Sequence, residues 1–325
     1  MKGSAFRAAG AVLLLICLVS GCGPSGGDAA ETTPKALHPA DRRAEVTLYY
    51  RGANGYIVPA ARRIRSMGDI VSEVLYAQLA SAENCCVVDP LGLTPVLPRR
   101  LTFSAEVQNN VAKVDIVSGT LKPKNAREES EMVNCIVNSL CSVEGVNGVS
   151  LSVDGRPVTT LAKGTNVAGV LLPRPVNEIY AGGKTKAGVT CTLYYVSGKS
   201  GLLTPVTMHF TGLPTLKQAV NAMITPKAEY GLTSMFPAGC RLIDARVEEG
   251  VVRLDFSREF DCLAEHPGLE SRVLVALSCV CHELAHTNAM LVTVEGADYR
   301  PVMNFWPDAE TVAAFNTLGE EYDPY

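Results

Sequence analysis

Residues 107–117 read VQNNVAKVDIV, and residues 247–257 read VEEGVVRLDFS. Each stretch holds two short apolar-polar runs around a turn pair, Asn109-Asn110 in the first and Glu249-Gly250 in the second. Such turn pairs suit residues with positive φ and predict a β-hairpin. The second stretch follows the first by 140 residues, which indicates an internal repeat.

The same order of landmarks continues on both sides of the two hairpins. Thr-Leu-Tyr-Tyr occurs at 47–50 and again at 192–195. After each hairpin come apolar residues at helical spacing, then a strand pattern that ends in an acidic residue and glycine. The matched words are MVNCIVNSL (132–140) with VLVALSCVCHEL (273–284), VSLSVDG (149–155) with MLVTVEG (290–296), and Arg-Pro-Val (156–158 with 300–302). Their order and nearly constant offset predict two copies of one domain.

Each copy also carries an amphipathic helix after its first strand. The first is predicted over 67–82, and the second over 216–223 with Thr215 as its N-cap. The predicted fold class is therefore α+β, with two repeated small β-α-β-β-α-β domains. The predicted organisation is a signal peptide (1–22), a flexible tether (23–44), a first domain (45–160), a linker (161–188), a second domain (189–305) and a C-terminal tail (306–325).

The first 22 residues predict export and lipid attachment. Lys2 and Arg7 precede an apolar stretch that is too short for a stable membrane span, and the stretch ends in Val-Ser-Gly before Cys22. This ending resembles the bacterial lipobox, which implies a diacylglyceryl thioether on Cys22, with acyl chains such as palmitate, and cleavage just before it. The expected location is the extracytoplasmic face of the cell membrane, with residues 23–44 as a disordered tether.

Composition excludes several classes of function. The net charge is −4, so neither a nucleic-acid partner nor a polybasic membrane patch is expected. Beyond Cys17 and Cys22 there are nine cysteines, an odd number with no C-x-x-C pair, so a zinc ribbon is unsupported. Cys279 and Cys281 could chelate a metal, but burial as small apolar side chains is their commoner role.

The ordered landmarks resemble the GerM family of sporulation and germination lipoproteins, which carry tandem GerMN domains. The resemblance covers about residues 45–160 and 189–305, together with the lipobox. It implies a non-enzymatic assembly role in a channel-like envelope complex between mother cell and forespore, through domains similar to ring-building modules. The implied partners are other exported or membrane proteins of that complex, including further copies of this chain. No cofactor is implied. The long loop at 83–100 and the many cysteines depart from the family pattern.

One motif favours a different function. Residues 282–286, His-Glu-Leu-Ala-His, match H-E-x-x-H, in which two histidines one helical turn apart bind zinc and the glutamate acts on metal-bound water. The alternative function is therefore a zinc-dependent cell-surface peptidase that uses His282, Glu283 and His286. Glu310 is the one fair candidate for a third ligand. A ligand-binding lipoprotein of a transporter is a third reading, disfavoured because these units are small.

Alignment of the repeats argues against the zinc site. With Leu140 matched to Leu284, the motif residues fall opposite Asn138, Ser139 and Ser142, which are not zinc ligands. A helical wheel centred on Leu284 places both histidines on the outward face. No other catalytic pattern is present, and the matched Asp115 and Asp255 are interpreted as turn or surface groups. We therefore expect no catalytic residue.

Overall fold

The structure, a computed structural model, describes residues 42–66, 68–180, 188–197, 201–302 and 316–319. All of them belong to one compact unit, Pro39–Tyr325. The predicted signal peptide, Cys22 and most of the tether lie outside the described residues, as do 181–187 and Glu310.

The first repeat opens with a three-stranded sheet and two short helices. Strand β1 (Arg42–Gly52) pairs antiparallel with β2 (Ile57–Ser66). Helices α1 (Ile70–Tyr76) and α2 (Ala82–Val88) follow. The chain then adds β3 (Leu93–Pro95) to the other side of β1, giving the order β2-β1-β3.

The single helix predicted over 67–82 is wrong in its extent. Helix α1 ends at Tyr76, and α2 begins after Ser81, whose hydroxyl accepts a hydrogen bond from the Asn84 N–H at 3.1 Å. A serine in this position is a strong helix start. Leu79 continues the apolar spacing because it is buried in the loop between the two helices, at 8% exposure.

A four-stranded sheet with a crossover helix completes the repeat. Its strands are β4 (Phe103–Gln108), β5 (Val111–Ile116), β6 (Gly148–Val153) and β7 (Arg156–Pro157), in that order. Helix α3 (Ala126–Leu140) connects the parallel strands β5 and β6. The hairpin predicted around Asn109-Asn110 is confirmed, because β4 and β5 pair antiparallel around a turn with φ values of 53° and 62°.

The second repeat contains the same series of elements. After β8 (Glu178–Tyr180) come β9 (Val189–Ser197), β10 (Leu202–Phe210), α4 (Leu216–Ile224), β11 (Leu242–Glu248), β12 (Val251–Phe256), α5 (Pro267–Ala285), β13 (Met290–Val294) and β14 (Ala297–Asp298). Thr215 is the N-cap of α4, as predicted, and it also forms a capping box with Gln218. A single bridge between Val196 and Thr233 stands in the place of β3.

The predicted α+β repeat is thus confirmed, with two strands added to both copies and with α2 and β3 added to the first copy alone. The two strands added to both copies are the second strand of the opening hairpin (β2, β10) and the short closing strand (β7, β14). Each repeat builds one hydrophobic core in which its long helix packs against the apolar face of its four-stranded sheet. The main apolar side chains of α3 in the first core are Met132, Val133, Ile136, Val137 and Leu140.

One matched pair of the sequence comparison is wrong. In β7, Arg156 lies opposite Val153, whereas in β14 it is Ala297 that lies opposite Val294. Arg156 therefore corresponds to Ala297, and the second Arg-Pro-Val, at 300–302, lies beyond the closing strand. The two Arg-Pro-Val sequences therefore lie at different places in the fold.

Candidate functional site

Two buried glutamates define how the repeats correspond. Glu129 is the fourth residue of α3 and 1% exposed, and Glu270 is the fourth residue of α5 and 0% exposed. They are 141 residues apart, the same offset that separates Val149 of β6 from Met290 of β13, which occupy equivalent pairing positions. The sequence alignment matched Leu140 with Leu284. The true counterpart of Leu140 is Cys281, so the predicted match is wrong by three residues, which is nearly one helical turn.

Each glutamate accepts hydrogen bonds from the chain segment that follows its own repeat. The Glu129 carboxylate accepts hydrogen bonds from the backbone N–H groups of Lys163 (2.8 and 3.0 Å) and Thr165 (3.0 Å). The Glu270 carboxylate accepts from the Tyr299 hydroxyl at 2.5 Å and from the Val302 N–H at 3.1 and 3.2 Å. Burial, and then the hydrogen bond to Glu270, raise the pKa of Tyr299. The carboxylates are thus internal anchors.

Neither glutamate was predicted from the sequence as a functional or structural residue, because an acidic residue in the first helical turn ordinarily serves the helix dipole at the surface. The available signal was their equal distance before the helix-strand landmarks, since Glu129 precedes Val149 by the same interval as Glu270 precedes Met290.

The H-E-x-x-H residues do not form a cluster. The His282 and His286 side chains are exposed, as the helical wheel predicted, and His286 caps α5 in the left-handed conformation at φ 53°. His282 Nδ1 contacts the Asn288 side-chain oxygen at 2.6 Å. With the offset of 141, the three motif residues correspond to Cys141, Ser142 and Gly145, not to the residues first aligned with them.

The central glutamate of the motif bonds to the backbone of a strand. Both carboxylate oxygens of Glu283 accept the Thr192 N–H of β9 at 3.0 Å. In the first repeat, the Ser142 hydroxyl accepts the Thr47 N–H of β1 at 2.9 Å. Residues at matched helix positions therefore attach the helix end to matched strands. Burial raises the pKa of Glu283, and the bond from Thr192 partly offsets the shift.

The two matched aspartates hold closing turns. Asp115 Oδ1 accepts from the Ser152 hydroxyl (2.5 Å) and the Gly155 N–H (2.8 Å). Asp255 Oδ1 accepts from the hydroxyl of Thr293 (2.6 Å) and the N–H of Gly296 (2.9 Å). Each aspartate thus ties the middle strand of its sheet to the turn before the closing strand. Their interpretation as turn groups is confirmed, because each aspartate bonds to the turn of its own repeat.

The described cysteines are all free thiols, and most are core residues. Cys279 and Cys281 are 6% and 1% exposed and pack in the second core. Burial raises the pKa of Cys191, Cys240 and Cys281 to about 12. Because the thiolate is the reactive and metal-binding form, these groups act as small apolar side chains. Within the described residues, no set of three His, Cys, Asp or Glu side chains could hold a metal ion.

The two repeats meet where two proline-containing strands run side by side. Pro59 lies opposite Tyr49 in the hairpin of β1 and β2, and Pro205 lies opposite Tyr194 in the hairpin of β9 and β10. A proline has no N–H to donate, so strands interrupted by it cannot form a continuous ladder with a neighbour. The gap between β2 and β10 is instead bridged by asparagine side chains.

Asn177 bridges the strands from one side. Its side-chain oxygen accepts the Ile57 N–H at 2.7 Å, and its amide donates to the carbonyls of Ile57 (2.6 Å) and Pro205 (2.7 Å). Its own carbonyl accepts the Thr207 N–H of β10 at 3.2 Å. One residue of the connecting segment therefore hydrogen-bonds to both repeats.

Asn316 bridges the strands from the other side with the same pattern. Its side-chain oxygen accepts the Leu203 N–H at 2.8 Å, and its amide donates to the carbonyls of Leu203 and Pro59, both at 2.7 Å. Its carbonyl accepts the Ala61 N–H of β2 at 2.8 Å. The junction therefore has an approximate two-fold arrangement.

Apolar side chains cross the junction in the same reciprocal way. Leu202 of the second hairpin is buried in the first core, and Tyr56 at the matched position of the first hairpin packs against the second core. Leu318, two residues after Asn316, lies in the first core, and Ile179, two residues after the other bridging asparagine, packs against the second. The segment that follows each repeat in the chain thus packs against the core of the other repeat.

The polar groups that recur in both repeats are engaged in hydrogen bonds that hold strands, turns and departing segments. Within the described part of the chain, no helix is long and apolar enough to cross a bilayer.

Comparison with known proteins follows the repeat boundaries. A family model described as "Germane: Sporulation and spore germination" matches residues 47–159 and 192–299. The solved structure of the tandem GerMN domains of the sporulation protein GerM from Bacillus subtilis is similar to this chain, with a TM-score of 0.59 at 20% identity, over 79% of this chain and 92% of that one. The first GerMN domain of the same protein, solved alone, gives a TM-score of 0.35 at 20% identity, over 40% of this chain and 97% of that one. None of the curated proteins compared matches the sequence.

Proposed function

The chain belongs to the Germane family of sporulation and spore germination proteins, and from this we propose that it is a non-enzymatic, lipid-anchored assembly protein of an envelope complex between mother cell and forespore. Its anchor is a lipid on Cys22, and its place is the extracytoplasmic face of the cell membrane. Its partners are other exported or membrane proteins of the complex, including copies of itself.

One observation carries the proposal. Equivalent acidic and amide groups of the two repeats form hydrogen bonds with the backbone. These groups are Glu129 with Glu270 and Asn177 with Asn316. Catalytic groups must instead face a site where a substrate can reach them. A pair of repeats held this firmly suits a rigid building unit. The motif at 282–286 gives no support to a peptidase, because its glutamate is bonded to Thr192.

The anchor is tested by replacing Cys22. In a spore-forming host, Cys22→Ala should leave the protein either unprocessed or released from the membrane fraction, because the thioether needs the thiol. A Cys86→Ala variant is the matched control, since that thiol is exposed and far along the chain. Normally processed Cys22→Ala protein that stays fully membrane-bound would contradict the proposed anchor.

Membership of a complex is tested by capture from sporulating cells. The anchored full chain, crosslinked in vivo and purified, should bring down a small set of exported or membrane proteins at constant ratio. The Cys22→Ala variant should lose them if anchoring is needed for assembly. Recovery of the chain alone under both conditions would argue against an assembly role.

A further inference from the structure

A polar cleft lies beside the junction of the repeats. It has a volume of about 820 Å³ and is open to solvent. One wall is the start of α3, the second is the turn between β1 and β2, and the third is the segment 175–179 with Tyr230. Ligand sites for small molecules typically have volumes of roughly 300–1,000 Å³.

The charges of the cleft nearly cancel. Glu131 forms ion pairs with Arg51 at 2.7 Å and with Arg127 at 2.8 Å, which hold the half-buried Arg51 guanidinium in the wall and place the exposed Arg127 at the rim. Lys124 is the third basic residue, and Glu128, Glu178 and Glu229 add acidic groups to Glu131. A site for phosphate or an acidic peptide needs an excess of positive charge, and this cleft has none.

Two side chains on the α3 wall have unused hydrogen-bonding capacity. Asn134 and Ser130 are half-buried, line the cleft, and make no side-chain hydrogen bond to the described residues. An amide offers two donors and an acceptor, and a hydroxyl offers one donor and two acceptor sites. Asn134 therefore presents both kinds of group to a ligand.

Comparison with the second repeat shows that packing does not require these groups. With the offset of 141, Asn134 corresponds to Val275, which is 0% exposed, and Glu131 corresponds to Arg272. The same helix position is thus an ordinary apolar core residue in one repeat and a half-buried amide at a cleft in the other. The amide of Asn134 is therefore not required for packing and is available to a ligand in the cleft.

The rim adds an aromatic element. The Tyr56 hydroxyl donates to the Tyr230 carbonyl at 2.6 Å, which joins the two repeats at one end of the cleft. Both tyrosine rings are half-buried and line the cleft. Tyrosine combines an apolar ring with a polar end, which suits the apolar face and hydroxyl edge of a sugar ring.

We propose that this cleft binds a neutral oligosaccharide. The paired planar groups of Arg51 and Glu131 bond neighbouring hydroxyl groups of the sugar, with Arg127 at the exposed rim. Asn134 and Ser130 bond the ring that lies on the α3 wall, and the tyrosines contact the sugar faces. The inference goes beyond the proposed assembly role and does not depend on it.

The experiment uses the full chain and three probe trisaccharides: chitotriose, maltotriose and cellotriose. Binding is measured by calorimetry and by saturation-transfer NMR, with inorganic phosphate and a glutamate-rich peptide as competitors. At least one sugar should bind with millimolar or better affinity, and neither competitor should displace it. Failure of all three sugars, or displacement by phosphate or peptide, would overturn the proposal.

The matched variants come from the second repeat itself. Asn134→Val installs the residue found at the equivalent position and should weaken sugar binding about tenfold, the loss expected for a hydrogen-bonded amide. Ser130→Ala should weaken binding to a smaller degree, and Ser271→Ala, its counterpart outside the cleft, should leave binding unchanged. An unaltered unfolding midpoint shows that Asn134→Val still folds. Unchanged affinity in both cleft variants would sink the assignment of this site.

Discussion

Asn177 and Asn316 are equivalent residues of the two repeats, and each bonds to a strand of both repeats. Each accepts one backbone N–H and donates to two carbonyls across the gap between β2 and β10. They do with side chains what a continuous ladder would do with backbone groups, at the place where Pro59 and Pro205 prevent one.

Removing one bridge should destabilise the whole unit. We expect Asn316→Ala to lower the free energy of unfolding by about 2–4 kcal/mol, because it leaves the Leu203 N–H and the Pro59 carbonyl buried without a partner. Asn316 itself is 0% exposed, so water does not replace it at low cost. Urea unfolding gives the value, and Asn54→Ala, at an exposed turn, is the control. A loss below about 0.5 kcal/mol would contradict the role of the bridge.

The buried glutamates should tolerate even an isosteric change poorly. Glu129→Gln turns part of an all-acceptor group into a donor that faces the N–H groups of Lys163 and Thr165. We expect a loss of about 1–3 kcal/mol, and a similar loss for Glu270→Gln. Denaturant unfolding of both variants, with the exposed Glu144→Gln beside them, measures this. Equal stability of all three variants would remove the anchoring role.

The glutamate of the H-E-x-x-H motif should leave a signature in the pH dependence of stability. Burial raises the pKa of Glu283 above its ordinary value of 4.5. A raised pKa in the folded state means that its favourable contribution is complete below the unfolded pKa and declines as pH rises through the folded pKa. Relative to wild type, Glu283→Gln should therefore gain stability as pH rises from 4 to 7. Unfolding curves across that range check the sign, and a gain on acidification would contradict it.

A buried amide offers a stabilising substitution. Both polar side-chain atoms of Gln78 are buried without a partner among the described residues, and the residue is 0% exposed. Counted from the matched N-caps Asp69 and Thr215, its counterpart is Ile224, which packs against the second core. Gln78→Leu should raise the free energy of unfolding by about 1 kcal/mol, since it removes an unpaired polar group. A decrease would contradict the expectation that the buried amide lowers stability.

The local parts of the fold could be predicted from the sequence. The hairpin turns at Asn109-Asn110 and Glu249-Gly250 adopt positive φ, as those residues favour. Thr215 starts a helix because its hydroxyl meets an N–H three residues away. Such signals depend on neighbours along the chain, so one sequence is enough to read them.

The groups that decide the junction could not be predicted, because their partners are distant. Asn316 and Pro59 are 257 residues apart, and nothing local distinguishes this asparagine from a turn residue. The repeat alignment failed at the end of α5 for a related reason: a repeated leucine was taken as the marker, whereas the buried Glu270 fixed the correspondence. The signal peptide, the lipid on Cys22 and most of the tether lie outside the described residues and stay predictions.

The place of Asn316 also has a consequence for the order in which the protein matures. Synthesis begins at the N-terminus, so β2 is made early. The segment that hydrogen-bonds to its edge, residues 316–318, is made much later. Until then, β2 has an open edge able to pair with other chains. Contacts this far apart along the chain also slow folding. A chain cut short before residue 316 would therefore keep β2 with an open edge.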